Sequence, residues 1–257
     1  TALAKDRDDT VRRNTLTTLA GMKGDEALKA LTALVTAEQT REQTLEALES
    51  VKGPVAARVL TEMSLGPPSE LRDQALGSLV TMGPSAVQGL VVESLDRGAQ
   101  FSTRVLDALT RTQQPEVRNA LVEVVLAGGD QKGASEVQGA LAAHGRAGVE
   151  AVLDVIARRP DLAQRGEAFL KRSYATSAPV VVARLRTMKT GRELDPLRTV
   201  MLAVIGHAQL VSAADLVVDI YRAKDSSVEL KVAAIKAAGE LSREETRRVV
   251  RDALQSD

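Results

Sequence analysis

The sequence contains no cysteine and no tryptophan, and its aromatic side chains are two Phe and two Tyr, with two His besides. Without Cys there is no thiol nucleophile, no disulfide framework, no cysteine zinc site and no iron–sulfur cluster. Two histidines are too few for a three-His metal centre. Four aromatics leave almost nothing on which exposed nucleic-acid bases would stack. Long apolar runs are missing as well. The stretch Val200–Ile205 falls far short of the roughly 18 residues that a membrane-spanning helix needs. No glycine loop of phosphate-binding spacing and no Gly-x-Ser-x-Gly elbow occurs, and Gly128-Gly129-Asp130-Gln131-Lys132-Gly133 reads as a loop between units. The sequence therefore predicts no cofactor, no metal and no catalytic residue. The start, Thr1-Ala2-Leu3-Ala4-Lys5, has neither an initiator Met nor a signal-peptide pattern. The expectation is a single domain, 1–257, excised from a longer protein and located in the cytoplasm. Arg outnumbers Lys by 24 to 10, a bias of GC-rich bacterial coding sequence.

What is present is Leu, Val and Ala in a regular pattern. Hydrophobic residues make up 44% of the chain, enough for a core. One block recurs: an apolar residue, a basic residue, a small residue, a large apolar residue and a further apolar one. It runs Val11-Arg12, Thr15-Leu16, Leu19 in the first copy and Leu71-Arg72, Ala75-Leu76, Leu79 in another. Leu197-Arg198, Met201-Leu202, Ile205 and Leu230-Lys231, Ala234-Ile235, Ala238 repeat it. Weaker copies centre on Leu45, Leu106, Leu141 and Leu170. The eight anchors, from Leu16 to Ile235, are separated by 29, 31, 30, 35, 29, 32 and 33 residues. A constant period of this size is the mark of a repeat architecture.

A second landmark follows five of the eight anchors by eight or nine residues: Asp25, Pro54, Pro84, Pro115 and Pro179. Pro suits the first position of a helix, where its missing N–H costs nothing, and Asp there can accept free amides. Each unit therefore reads as two helices, the second starting at that residue. Stripes such as Ala27, Leu31, Leu34, Val35 and Val149, Val152, Leu153, Ile156 have the 3.6-residue period of amphipathic helices. Gly66-Pro67-Pro68, Gly98, Pro160, Gly191 and Asp225-Ser226-Ser227 separate the units. The fold class is all-α, an α-solenoid of about eight stacked two-helix repeats. Unit boundaries in residues 97–192 are the least defined.

The blocks Asp9-Thr10-Val11-Arg12, Ser69-Glu70-Leu71-Arg72 and Asp195-Pro196-Leu197-Arg198, each with its following anchor, resemble HEAT-like repeats. The short period is similar to the phycobilisome-lyase type. The resemblance implies a stacked two-helix array and carries no activity of its own. It also implies a ladder in which the acidic residue before each block pairs with the Arg: Asp9 with Arg12, Glu70 with Arg72, Asp195 with Arg198. His144 and His207, each beside a glycine at a first-helix end, read as helix-terminal residues interacting with free carbonyls.

The formal charge is zero, with 34 basic and 34 acidic residues, yet the two signs are segregated. Residues 38–96 hold nine acidic and four basic residues, net −5, and residues 158–198 hold ten basic and four acidic, net +6. Glu38, Glu42, Glu46 and Glu49 fall on one helix face and form an acidic stripe for a basic partner. Arg165, Arg172, Arg184, Arg186 and Lys189 form a candidate basic patch. Extended arrays bind along a concave surface lined by second helices. Helix phase places Arg58, Glu62, Gln88, Asn119, Glu123, Asp154, Arg186, Asp219, Arg248 and Asp252 there. Their mixed charge suits a protein or peptide partner, and segregated charge also suits self-association. The expected function is a non-catalytic interaction scaffold, in the more specific form a bacterial cell-organisation or division-site component. The alternatives are a DNA-binding protein resembling the HEAT-like alkylpurine glycosylases, and a lyase or chaperone-like subunit resembling the bilin lyases. Nucleic acid is disfavoured by the aromatic count and the neutral charge.

Overall fold

A computed structural model describes residues 2–111, 115–127, 133–188, 191–241 and 244–255. Lys189 of the expected basic patch, the segment 128–132 and the side chain of Asp252 lie outside the described residues. Among the described residues every regular element is helical. The α-helices are α1 (Asp9–Gly21), α2 (Asp25–Thr36), α3 (Glu38–Val51), α4 (Pro54–Ser64), α5 (Glu70–Met82), α6 (Pro84–Asp96), α7 (Ala99–Arg111) and α8 (Pro115–Ala127). They continue as α9 (Ala134–Ala143), α10 (Gly145–Arg158), α11 (Ala163–Arg172), α12 (Tyr174–Thr187), α13 (Asp195–His207), α14 (Ala214–Arg222), α15 (Val228–Leu241) and α16 (Glu244–Gln255). All eight anchors fall on odd-numbered helices, so the sequence period marks helix pairs.

The chain forms two compact units, 1–124 with 128–140 and 125–127 with 141–257. In the first, α1 packs on α3 and α3 on α5, while α2 packs on α4 and α4 on α6. In the second, α11 packs on α13 and α13 on α15, while α10 packs on α12 and α14 on α16. First helices thus stack on first helices and second helices on second helices. That is the solenoid plan, and it follows from the stripes: a two-helix unit cannot bury its apolar face alone. Leu16, Leu31, Leu48, Leu60 and Leu79 fill the space between layers in the first unit, and Leu141, Leu153, Ile156 and Leu202 in the second. Close approach uses glycine. A Cβ on Gly148 would sit 2.5 Å from the Leu141 carbonyl oxygen, and one on Gly206 would sit 3.1 Å from Ala237 Cα where α13 meets α15.

Helix starts follow the expected chemistry in most units. Pro54, Pro84 and Pro115 open α4, α6 and α8. The Asp8 side chain accepts from Thr10 N at 2.8 Å, Ser69 Oγ from Arg72 N at 3.2 Å and Ser227 Oγ from Leu230 N at 3.2 Å. Two expectations need correction. Asp25 is the first helical residue and its side chain caps nothing. Gly24, at φ 109°, takes the cap position, and Asp25 lies 3.7 Å from Arg58 on α4. Pro179 does not open its helix either. α12 begins five residues earlier, directly after Ser173, and Pro179 sits inside it. The α11–α12 junction is a single residue, closed by Ser173 Oγ donating to the Phe169 carbonyl at 2.9 Å, so the helix restarts before the Pro is reached. Pro179 therefore removes one helical hydrogen bond and crowds the carbonyl four residues back. Pro179→Ala should raise stability by about 1–2 kcal/mol, part of the interior Pro penalty, read as a higher denaturation midpoint with unchanged slope.

Candidate functional site

The layers are tied together by polar contacts at repeat spacing. Arg12 Nη2 lies 2.7 Å from Asp9 Oδ1, and Arg12 Nε donates to Gln43 Oε1 at 3.1 Å. Gln43 Nε2 returns to Asp9 Oδ1 at 2.7 Å, closing a triangle between α1 and α3. In the second unit Arg198 Nη1 lies 3.3 Å from Asp195 Oδ1, both side chains more than nine-tenths buried. Asp195 Oδ2 accepts Ser227 N–H at 3.1 Å, linking α13 to the turn before α15. The expected Glu70/Arg72 pair does not form. Arg72 turns to the adjacent Asp73 at 2.7 Å, and Glu70 accepts from Gln74. Glu70 lies in the first turn of α5 with its side chain beside Gln74, one turn along the same face, whereas Asp73 meets the guanidinium with two N–H bonds.

The acidic stripe lies on α3 as expected, but only partly free. Glu49 is half-buried and accepts from Ser78 Oγ at 2.5 Å, so it joins α3 to α5. Glu38, Glu42 and Glu46 are exposed and make no hydrogen bond or ion pair with a described residue. The basic residues divide between helices. Arg165 and Arg172 are on α11, Arg184 and Arg186 on α12. Arg165 Nη1 donates to the Leu126 carbonyl at 2.7 Å near the end of α8. Arg184 lies 3.1 Å from Glu150 and 2.7 Å from Asp154. Burial opposes its charge, but Asp154, with Glu150, more than offsets this and holds the guanidinium above its ordinary pKa. Arg186 reaches the Ser212 carbonyl at 3.4 Å.

Of the expected second-helix surface, Arg58, Glu62, Asn119, Glu123, Asp154, Asp219 and Arg248 are exposed and Gln88 is half-buried. Several pair with residues of, or directly after, a neighbouring helix of the layer. Arg58 pairs with Asp25, Asp154 with Arg184, and Glu62 with Arg97. The hydrogen bond to Glu62, then that to Glu93, raises the Arg97 pKa. These ion pairs neutralise much of the second-helix surface at repeat spacing.

A groove of the second unit lies on its first helices. A cleft of about 540 Å³ is lined by Gln164 and Glu167 of α11, Pro196 and Thr199 of α13, and Glu229 of α15. A second space of about 290 Å³ shares Glu167, Thr199 and Glu229 and continues past Lys171, Ala203 and Lys236 to Glu240. Early residues of all three helices meet at one end and later residues at the other, so the helices run parallel. α13 also packs against α10 and α12 and is buried on most of its circumference. It is sunk between α11 and α15, and the groove is the space above it. The mark of this in the sequence is the small-residue series Thr199, Ala203 and Gly206, which reads as close helix packing and gives no sign of which side is left open.

In the first unit a polar cleft of about 380 Å³ is lined by Arg72, Asp73, Gly77, Ala108 and Arg111. Arg72 is held by Asp73, and Arg111 lies 3.7 Å from Asp107. His207 ends α13 and meets the exposed Tyr174 ring edge-on at 5.9 Å, and His144 lies between α9 and α10. No group of metal-ligating residues occurs among the described residues. No described helix is long and apolar enough to cross a membrane.

Residues 1–80 match the family model of HEAT repeats. This segment is HEAT-like. It holds two of the three blocks that resemble HEAT-like repeats, Asp9–Arg12 and Ser69–Arg72. Among solved structures, a designed armadillo repeat protein is similar at 14% identity, over 94% of this chain and 98% of that one, with a TM-score of 0.37. The complex of CpcE and CpcF of phycocyanin lyase from Nostoc is similar at 20% identity, over 98% of this chain and 92% of that one, with a TM-score of 0.26. An engineered protein is similar at 17% identity, over 99% and 93%, with a TM-score of 0.22. No curated protein matches the chain. The described residues are all-α and stack as helix pairs, and the HEAT-repeat match covers the first of these pairs, within residues 1–80.

Proposed function

We propose that the chain is a non-catalytic interaction scaffold that binds a protein or peptide partner on its solenoid surface. The observation that supports this most is the groove above α13. It is lined by three parallel helices, floored by small side chains and bordered by both charge signs. Glu167, Glu229 and Glu240 stand among Lys171, Lys236 and Arg192, a balance that suits a polypeptide better than a polyanion.

A displayed library of random peptides, selected on the full chain and counter-selected on Ala203→Arg, tests the reading. Arg at this half-buried floor position fills the groove and projects toward solvent. Binders that lose affinity on the variant are expected. A selection in which every binder ignores the variant would overturn the reading.

A further inference from the structure

We propose that the groove above α13 receives an amphipathic α-helix of a partner protein, carrying basic, acidic and basic side chains that face Glu229, Lys236 and Glu240. The inference rests on the scaffold reading above and specifies the partner.

The shape of the groove argues for a helix. Its long direction follows α13, and its floor is Pro196, Thr199 and Ala203, spaced to share one helix face. Small floor residues let an incoming helix approach to the 8–10 Å axis spacing of packed helices, roughly as another member of the layer would. On α15, Val232 is 44% exposed and Val228, at 74%, is the most exposed large hydrophobic among the described residues. Val232 lines the groove, and with Val228 four residues earlier on α15 it suits the i, i+4 anchors of helix-in-groove binding.

Charge then selects the partner. On the α11 wall Lys171 Nζ lies 2.8 Å from Glu167 Oε1, so that wall is neutral within itself. The α15 wall is different. Glu229, Lys236 and Glu240 are exposed and make no hydrogen bond or ion pair with a described residue. Spacings of seven and four residues put them within about 40° of one another on the helix, over about 16 Å or three turns. A helix lying beside α15 would meet the sequence acidic, basic, acidic. Its complement is basic, acidic, basic at the same spacings, in either chain direction. Like charges in those places would be opposed across a partly desolvated contact, a cost that sets specificity.

The test uses labelled synthetic peptides of about 16 residues, with a Leu stripe and Arg, Glu and Arg at spacings of seven and four, made in both directions. A charge-inverted peptide and one interrupted by a central Pro accompany them. Fluorescence anisotropy with the full chain at about 50 mM salt keeps screening weak. The complementary peptide in one direction should bind at least about tenfold more tightly than the charge-inverted one. The Pro peptide should lose binding, and Ala203→Arg should abolish it. Lys236→Glu, a change at an exposed site, should shift preference to a peptide with Arg in the central position. Equal binding of the two charge patterns, binding by the Pro peptide, no binding at all, or indifference to Ala203→Arg would each overturn the proposal. If library selection yields groove-dependent peptides that are neither helical nor of this charge pattern, the inference falls and the scaffold reading stands. If no selected peptide depends on the groove, both fall.

Discussion

Asp195→Ala is expected to destabilise the second unit by about 3–5 kcal/mol, the range for breaking one side of a buried ion pair. The Asp195 and Arg198 side chains are 9% and 7% exposed, and the carboxylate has two tasks. Oδ1 holds Arg198, and Oδ2 accepts Ser227 N–H at 3.1 Å. Removal leaves a buried guanidinium without its counter-charge and a backbone donor of the following turn without its acceptor. Both costs fall on the link between α13 and α15. Thermal denaturation should show a Tm lowered by about 10 °C or more. Asp195→Asn should be milder, since an amide oxygen can still accept from Ser227 N–H. Replacing both partners with Leu should cost much less than the two single changes added together, because no charge is left buried. A loss under about 1 kcal/mol for Asp195→Ala would contradict the buried-pair account.

Leu202→Ala should cost about 2–5 kcal/mol, the range for deleting a well-packed core leucine. Leu106→Ala, at the equivalent anchor of another pair, should cost clearly less, about 1 kcal/mol. The sequence treats the two as the same position in the repeat. In the structure Leu202 is fully buried on a helix covered on most sides, whereas Leu106 on α7 is only half-buried and Leu109 takes the fully buried place one turn later. A truncation leaves a cavity only where neighbours enclose the site on all sides. Chemical denaturation of the two variants measures the difference, and equal losses would mean that the anchors are equivalent.

Much of the fold was legible in the residues. The 29–35-residue period, the anchors and Pro54, Pro84 and Pro115 located the helix pairs, because helix starts and apolar stripes are written locally. Pro179 misled because a Pro is also tolerated inside a helix, at a cost that other contacts offset. The ladder was legible at Asp9/Arg12 and Asp195/Arg198. It failed at Glu70, where Asp73 offers Arg72 a two-bond carboxylate from the adjacent position.

The candidate site was far less legible. Glu38, Glu42 and Glu46 stayed exposed, as their phase on α3 indicated, while Glu49 was drawn into a bond with Ser78, 29 residues away. Arg184 counted toward a positive stretch, yet Glu150 and Asp154 of the neighbouring pair neutralise it. Net charge along a sequence adds residues that are neighbours in the chain. The field at a surface is set by residues one repeat apart, which only stacking brings together.

By itself the sequence determined that the described residues are helical, that the helices come in pairs of a nearly constant period, and which residues face inward at most anchors. Those properties depend on spacing within a single helix. The tertiary structure alone decided that α13 sinks between α11 and α15, leaving a groove on the first helices, and that Glu229, Lys236 and Glu240 line it unpaired. How deep a helix sits depends on the volumes of side chains from four other helices meeting at once, and no local pattern encodes that sum.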